Sequence, residues 1–179
     1  MSIIRIGHTP DADDAFMYYA IAHGKVSVGD YQVQHVLEDI QTLNQRAFSG
    51  ELEGTAISAG AYPHVADKYR IMRVGSSIGR NYGPTIVTTA DKPNLELKGS
   101  TIAIPGEYTT AYLLLRLYSE GFTAIPMAFD SIVSAVKENQ VDAGLLIHEG
   151  QITYESLGLT LLLDLGREWT QDTGLPIPL

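Results

Sequence analysis

The sequence contains no cysteine among its 179 residues. Disulfide bonds, thiolate nucleophiles and metal sites built on cysteine are therefore excluded. No apolar run reaches the ~18 residues that a membrane-spanning helix requires. The N-terminus also lacks a basic segment followed by a long apolar stretch, which is the pattern of a secretory signal peptide. We therefore predict a cytoplasmic protein that has no contact with a membrane.

Basic residues are scarce, because 12 Lys and Arg stand against 21 Asp and Glu, which gives a formal net charge of -9 at pH 7. An acidic surface repels phosphate backbones, so nucleic acid is not an expected partner. Hydrophobic residues make up 45% of the chain and charged residues 18%, which is typical of a globular protein. A site for an anionic ligand would have to be local, built from backbone N–H groups, hydroxyls or a few Arg side chains.

Several well-known site motifs are also absent. The chain has no G-x-x-x-x-G-K-[ST] phosphate loop and no G-x-G-x-x-G dinucleotide motif. His148-Glu149 lacks the second histidine of an H-E-x-x-H zinc motif.

Short apolar runs alternate with segments of helical periodicity, which predicts an α/β fold with parallel strands joined by right-handed crossovers. The polar, aperiodic stretch 90–99 is predicted to connect a first lobe, residues 1–90, to a second lobe, residues 91–173. Residues 174–179 are apolar and extended. We expect them to return toward the first lobe, and we expect the chain to be truncated, since a domain rarely ends on such a run. The predicted strands are Ser2–Gly7, Tyr31–Leu37, Gly54–Ile57, Arg70–Val74, Pro84–Thr89, Ser100–Ile104, Ala124–Ala128, Asp142–Ile147 and Leu159–Leu163; helices are predicted to begin at Asp13 or Asp14, Asp39, Thr109, Asp130 and Gln151.

Open parallel sheets bind ligands beyond the carboxyl ends of their strands, so the turns from strand to helix are the candidate sites. The first turn, His8–Asp14, holds three aspartates, although one is enough to cap a helix. Asp14 is therefore a candidate acceptor for substrate hydroxyls. The second turn holds Thr55–Ser58, where small residues let a ligand approach the backbone and Ser58 is either a donor to it or an N-cap.

The third turn leads to Thr109 and Thr110 at the start of a strongly amphipathic helix. Two hydroxyls, together with the backbone N–H groups that have no partner at a helix N-terminus, can form an anion-binding site. A plain N-cap would explain only one of the two threonines. In the fourth turn His148 directly follows a buried apolar strand. This is a natural position for a general base, although a histidine satisfied by the backbone is the alternative.

Five segments together resemble the 1,4-dihydroxy-6-naphthoate synthase family of the futalosine branch of menaquinone biosynthesis. The resemblance implies a two-lobed fold of the type II periplasmic-binding-protein class with an incomplete first lobe. It also implies cleavage of cyclic dehypoxanthinyl futalosine to 1,4-dihydroxy-6-naphthoate and dihydroxyacetone, by a carbon–carbon lyase that uses no metal and no organic cofactor. The segments are Gly7–Ala20, Leu37–Asn44, Pro105–Tyr112, Ala143–Gly150 and Thr173–Leu179.

The resemblance also implies roles for individual residues. His148 would be the catalytic base, and the substrate would contact Asp14, Ala56, Ile57, Ser58, Thr109, Thr110 and Ala111. Many family members carry Cys-Pro-Asn-Asp where this chain has Asp11-Ala-Asp-Asp14, and members continue beyond Leu179 to complete the first lobe. We therefore expect this chain to be marginally stable or to associate, as a monomer or a weak homodimer.

Three alternatives remain open at the level of the sequence. A solute-binding protein of a transporter would share the fold, but it needs an export signal. A ligand-sensing domain would need no histidine at a strand end. A chorismate dehydratase-like enzyme of the same pathway also shares the fold, although the His148-Glu-Gly and Thr109-Thr segments favour the synthase.

Overall fold

The computed structural model describes residues 2–178 and divides the chain into two compact units, one up to Ser77 and one from Ile78 onward. The predicted boundary after residue 90 differs from this division. The reason is that the strand at Thr85–Thr89 pairs with strands of the second unit.

The first unit contains a three-stranded parallel sheet and two helices. Its strands lie in the order β2-β1-β3, and each of the outer strands runs parallel to β1. Parallel neighbours require a crossover, which the two helices supply. The elements are β1 (Ser2–His8), α1 (Ala12–Ala22), β2 (Tyr31–Leu37), α2 (Ile40–Ser49) and β3 (Gly54–Thr55).

The bounds of α2 follow from side chains that the sequence shows. The carboxylate of Asp39 accepts a hydrogen bond from the Thr42 N–H at 3.0 Å, which satisfies one orphan donor of the first turn. Gly50 ends the helix with a φ of 71°, a left-handed conformation that glycine adopts without steric cost. Leu43 and Ala47, one turn apart, are fully buried. The prediction for this helix is confirmed.

Two predictions in the first unit are wrong. Arg70–Val74 is not a strand, and the side chains of Ile71 and Val74 are exposed by 69% and 77%. Its β-branched composition favours extended backbone, but no neighbouring strand in residues 2–77 pairs with it. Helix α1 also begins earlier than predicted, since its N-cap is Asp11 rather than Asp13 or Asp14.

The second unit is built on a five-stranded mixed sheet, in the order β7-β6-β8-β5-β9. Strand β6 runs parallel to β7 and β8, as predicted, whereas β5 runs antiparallel to β8 and β9. Apolar periodicity carries no information on strand direction, which explains the error for β5, the strand that runs against the other four. The strands are β4 (Ile78–Gly79), β5 (Thr85–Thr89), β6 (Thr101–Ile104), β7 (Thr123–Pro126), β8 (Ala143–Leu146), β9 (Leu159–Asp164) and β10 (Ile177–Pro178).

Helices cover both faces of this sheet. Alternate residues of β6 point to opposite sides, so Ile102 and Ile104 pack with Leu115 in one core, whereas Ala103 packs with Ile132 in the other. A sheet that is buried on both faces has apolar residues at successive positions, as these strands do. The helices are α3 (Thr110–Tyr118), α4 (Ile132–Lys137), α5 (Gly150–Thr153) and α6 (Leu165–Thr173), with a short 3-10 helix at Phe129–Ser131.

The C-terminal segment differs from the prediction in one respect. Helix α6 was not predicted, although Asp164 caps it by accepting from the Arg167 N–H at 2.9 Å and Gly174 ends it with a φ of 69°. The segment after it pairs within the second unit, where Ile177 lies opposite Gly79 in an antiparallel bridge and is 1% exposed. Gly79 falls within residues 1–90, the predicted first lobe, and within the second unit of the structure, so the return toward the first lobe stays a prediction. Leu179 lies outside the described residues. Over residues 2–178, no helix combines the length and the apolar character needed to cross a membrane.

Candidate functional site

Two of the predicted turns meet at one edge of the second unit's sheet. Strands β6 and β8 are parallel neighbours, with Ile102 opposite Ala143, so their carboxyl ends lie side by side. The chain leaves β6 toward the N-terminus of α3 and leaves β8 toward His148. This is the position at which open α/β sheets bind ligands.

Thr109 is the N-cap of α3, and both hydrogen-bonding functions of its hydroxyl are used inside the chain. The hydroxyl donates to the Gly106 carbonyl at 2.8 Å and accepts from the Tyr112 N–H at 3.2 Å. The side chain is 3% exposed. Thr110 is half-buried at the first helical position, and Ala111 packs its methyl group into the core. The N–H of Ala111 lies in the first turn and has no carbonyl partner within the helix, so the turn can offer this N–H to a ligand.

His148 stands in the turn after β8 with a φ of 53°, which is a left-handed conformation. Such a φ is uncommon for a residue with a side chain and costs free energy, which the surrounding structure must supply. The Gln151 N–H donates to the His148 carbonyl at 3.3 Å and closes the turn. The imidazole is half-buried, and the ring of Phe129 meets it edge to face at a centroid distance of 5.2 Å. The strand end and the turn therefore hold this ring in a defined orientation.

In the first unit, Asp14 organises the turn between β1 and α1. Its Oδ2 accepts from both the N–H and the hydroxyl of Thr9, at 2.7 Å and 3.0 Å. The side chain is 6% exposed. Asp13 accepts from the Asp14 N–H at 3.0 Å and from the hydroxyl of Ser77. Two of the three aspartates thus have roles in the turn itself, and a substrate contact of Asp14 stays a prediction.

Residues 56–58 follow β3 and lie against the end of β1. The Ala56 N–H donates to the Gly7 carbonyl at 2.7 Å, so the backbone stays paired for one residue beyond β3. Ile57 is half-buried. Ser58 does not begin a long helix, because Pro63 restricts the chain to a turn and the 3-10 helix Tyr62–His64. The side chain of Ser58 is instead bonded to the buried Asn44 of α2.

His8 and His35 form a pair next to the turn between β1 and α1. His8 Nε2 and His35 Nδ1 are 2.8 Å apart, and the other nitrogen of His8 faces the Thr9 carbonyl at 3.1 Å. Because a carbonyl only accepts, His8 Nδ1 carries a proton. One hydrogen lies between His8 Nε2 and His35 Nδ1. Burial, and then the neighbouring His8, lower the pKa of His35. Tyr18 stacks on His8, and burial together with the charge of Asp14 raises the pKa of Tyr18.

Sequence reasoning missed two residues that contact the predicted site. Asn44 is fully buried, and its only signal is an amide on the apolar face of α2. Phe129 precedes α4 by sequence but touches His148 in space, and nothing in the sequence indicates that contact. Within the described part of the chain, no group of three or more His, Asp or Glu side chains is arranged to hold a metal ion.

Comparisons with known proteins cover nearly the whole chain. The family model described as menaquinone biosynthesis matches residues 4–179. A 1,4-dihydroxy-6-naphthoate synthase of Thermus thermophilus is 42% identical over 100% of this chain, and one of Streptomyces coelicolor is 37% identical over 98%. The chain spans 65% and 64% of the lengths of these two relatives.

Solved structures show the same fold. A crystal structure of a protein from Archaeoglobus fulgidus superimposes with a TM-score of 0.93 at 54% identity, over 98% of this chain and 65% of that one. The alkanesulfonate-binding protein of Xanthomonas axonopodis pv. citri superimposes with a TM-score of 0.70 at 16% identity, over 97% of this chain and 68% of that one. The predicted periplasmic-binding-protein-like fold is thereby confirmed. The family match and the identity to both synthases show that the chain belongs to the menaquinone biosynthesis family.

Proposed function

We propose that this chain carries the reactive residues of a 1,4-dihydroxy-6-naphthoate synthase. The reaction is the cleavage of cyclic dehypoxanthinyl futalosine to 1,4-dihydroxy-6-naphthoate and dihydroxyacetone, which makes the protein a carbon–carbon lyase. The observation that carries the proposal is the match to two synthases along essentially the full chain, at 42% and 37% identity. The described geometry supports it, since a half-buried histidine stands at the carboxyl end of a central strand.

In this mechanism the neutral imidazole of His148 acts as general base and removes a proton from the sugar-derived ring of the substrate. Its left-handed backbone and its contact with Phe129 orient the ring before substrate binds. An oriented base lowers the entropic cost of proton transfer. Formation of the aromatic naphthoate then helps to drive the carbon–carbon cleavage.

The proposed substrate contacts fall into two groups. In the second unit, the turn capped by Thr109 offers the Ala111 N–H and Thr110 to a carboxylate or hydroxyl of the substrate. In the first unit, Asp14, Ala56, Ile57 and Ser58 are proposed contacts, with the hydroxyl of Ser58 as donor. Backbone N–H groups and hydroxyls can bind an anionic group of the substrate although the net charge of the chain is -9, because hydrogen-bond donors act over short distances.

The likeness to solute-binding proteins, at 16% identity, concerns the fold and favours no transport role. A ligand sensor is distinguished from an enzyme by turnover. A chorismate dehydratase-like activity is distinguished by substrate, since the two reactions release different products.

The test is a product assay in which cyclic dehypoxanthinyl futalosine is added to the folded chain and naphthoate is followed by mass spectrometry. His148→Asn is the informative variant, because asparagine tolerates a positive φ and the turn should keep its shape. We expect turnover to fall by about 10²–10⁴-fold, the usual contribution of a general base. His23→Asn, at the exposed end of α1, is the matched control and should leave turnover unchanged. Normal turnover in His148→Asn would exclude His148 as the base, and substrate binding without any product would favour the binding-only alternative.

A further inference from the structure

The side chains of Asn44 and Ser58 form a closed pair in the first unit. The Asn44 Nδ2 donates to Ser58 Oγ at 3.0 Å, and the Ser58 backbone N–H donates to Asn44 Oδ1 at 2.9 Å. Asn44 is 0% exposed and Ser58 is 8% exposed. Helix α2 presents Asn44 on the same buried face as Leu43 and Ala47, so the packing of the helix fixes where the amide lies.

The direction of each hydrogen bond in this pair is determined by chemistry. A backbone N–H can only donate, so the atom of Asn44 that faces it must be the carbonyl oxygen Oδ1. The other end of the same amide, Nδ2, then faces Ser58 Oγ and can only donate to it. The amide cannot be turned over, because that would set Nδ2 against the Ser58 N–H. One lone pair of the Ser58 hydroxyl is therefore occupied, and its single hydrogen is left for another partner.

We propose that Asn44 is a positioning residue that makes the Ser58 hydroxyl a hydrogen-bond donor to the substrate. The substrate group that receives the hydrogen of Ser58 is then an acceptor oxygen, such as a carboxylate or a carbonyl. This inference rests on the proposed function, because it takes Ser58 as a substrate contact. It adds Asn44 as the residue that orients the Ser58 hydroxyl, and it adds the chemical class of the substrate group that this hydroxyl contacts.

Three variants of the full chain test this arrangement. Ser58→Ala removes the donor but leaves the backbone bond to Asn44 in place. Asn44→Asp is nearly isosteric, and its carboxylate draws the Ser58 hydroxyl hydrogen toward itself, so the hydroxyl no longer donates outward. The third variant combines the two changes. KM and kcat are measured with cyclic dehypoxanthinyl futalosine, and binding of 1,4-dihydroxy-6-naphthoate is measured by calorimetry.

We expect each single variant to raise KM, and the dissociation constant of the naphthoate if its carboxylate is the contacted group, by about tenfold, with kcat changed much less. The double variant should be no weaker than Ser58→Ala, because both changes remove the same donor. The defect of Asn44→Asp should shrink at lower pH, since a protonated carboxyl donates to Ser58 Oγ as the amide does. The defect of Ser58→Ala should not change with pH in this way.

The outcomes separate this inference from the proposed function. Additive defects in the double variant, or a pH-independent defect in Asn44→Asp, would overturn the positioning role even if wild-type turnover is normal. Binding of either molecule without turnover would overturn the proposed function, and the variants would then decide the inference from binding alone. Wild-type protein that neither binds nor turns over these molecules would overturn both.

A second measurement, which does not require Asn44→Asp, covers the case in which that variant does not fold. Side-chain amide protons of Asn44 are followed by NMR in the wild type and in Ser58→Ala. We expect one of the two protons to be protected from exchange in the wild type and to lose protection in Ser58→Ala. Two equally exchanging protons in the wild type would overturn the direction of the bond on which the inference depends.

Discussion

The ring of Phe129 meets the ring of His148 edge to face, with centroids 5.2 Å apart and ring planes inclined by 72°. Phe129 lies in the 3-10 helix before α4, and His148 lies in the turn after β8. Edge-to-face pairs of this kind contribute about 0.5–1.5 kcal/mol beyond the area that they bury. The contact therefore restricts the orientation of the proposed base.

We predict that Phe129→Leu lowers kcat by about tenfold, because small errors in the orientation of a base are costly in rate. Phe129→Tyr should keep most of the activity, since it retains the ring. The measurement is kcat for both variants in the naphthoate assay, with circular dichroism to verify the fold. Equal activity of the Leu and Tyr variants would show that the ring contact does not orient His148.

The second prediction concerns Thr109, the N-cap of α3. Thr109→Ala removes the bonds to Tyr112 and Gly106, so the free energy of unfolding should fall by about 1–2 kcal/mol. Thr109→Ser keeps a hydroxyl that can cap and should recover most of this loss. Chemical denaturation of the two variants gives the comparison. A Ser variant as unstable as the Ala variant would contradict the capping role.

The third prediction concerns Gly144, the residue at which β8 and α4 approach closely. A Cβ on Gly144 would lie 2.6 Å from Ile132 Cγ2 and 2.8 Å from Val136 Cγ2. Gly144→Ala should therefore lower the free energy of unfolding by about 1–3 kcal/mol through overpacking. Gly54→Ala is the matched control in a strand, because its Cβ would meet Ile6 Cγ1 at 3.8 Å, an ordinary contact. Equal stability of the two variants in denaturant would rule out close packing as the reason for glycine.

The fourth prediction concerns acid stability and the pair formed by Arg5 and Glu53. The Arg5 side chain donates to both carboxylate oxygens, at 2.7 Å and 3.0 Å, and the Arg5 backbone N–H donates at 2.8 Å. These bonds lower the pKa of Glu53 from 4.5 to about 2. A lowered carboxylate pKa stabilises the fold above pH 4.5, and this contribution is lost as the pH falls toward about 2.

The measurement is the urea midpoint of wild type and Glu53→Gln at pH 7 and at pH 3. We expect the midpoint of Glu53→Gln to depend less on pH over this interval, because the variant has no charge to lose. The effect is modest, since both side chains are 44–45% exposed and the pair is screened by solvent. Glu107→Gln, an exposed carboxylate of the second unit, serves as control. An unchanged pH dependence in Glu53→Gln would show that the pair does not stabilise the native state.

Much of the local structure follows from the sequence because its causes are local. Asp39 and Gly50 bound α2, and Thr109 begins α3, through bonds that span only a few residues. The general position of the candidate site follows as well, since polar residues after apolar strands indicate the carboxyl edge of a sheet. His148 at the end of β8 was predicted on this basis.

Tertiary structure decided the features that depend on partners distant in sequence. Arg70–Val74 has the composition of a strand, but no strand within residues 2–178 pairs with it, and β5 runs antiparallel because of how the sheet is assembled. The pairing of Asn44 with Ser58, 14 residues apart, depends on how α2 packs beside the end of β3. Hydrophobic pattern and capping residues thus determine which segments are helices and strands. Strand direction, side-chain contacts and hydrogen-bond polarity arise only when those segments pack together, because no local pattern encodes a partner.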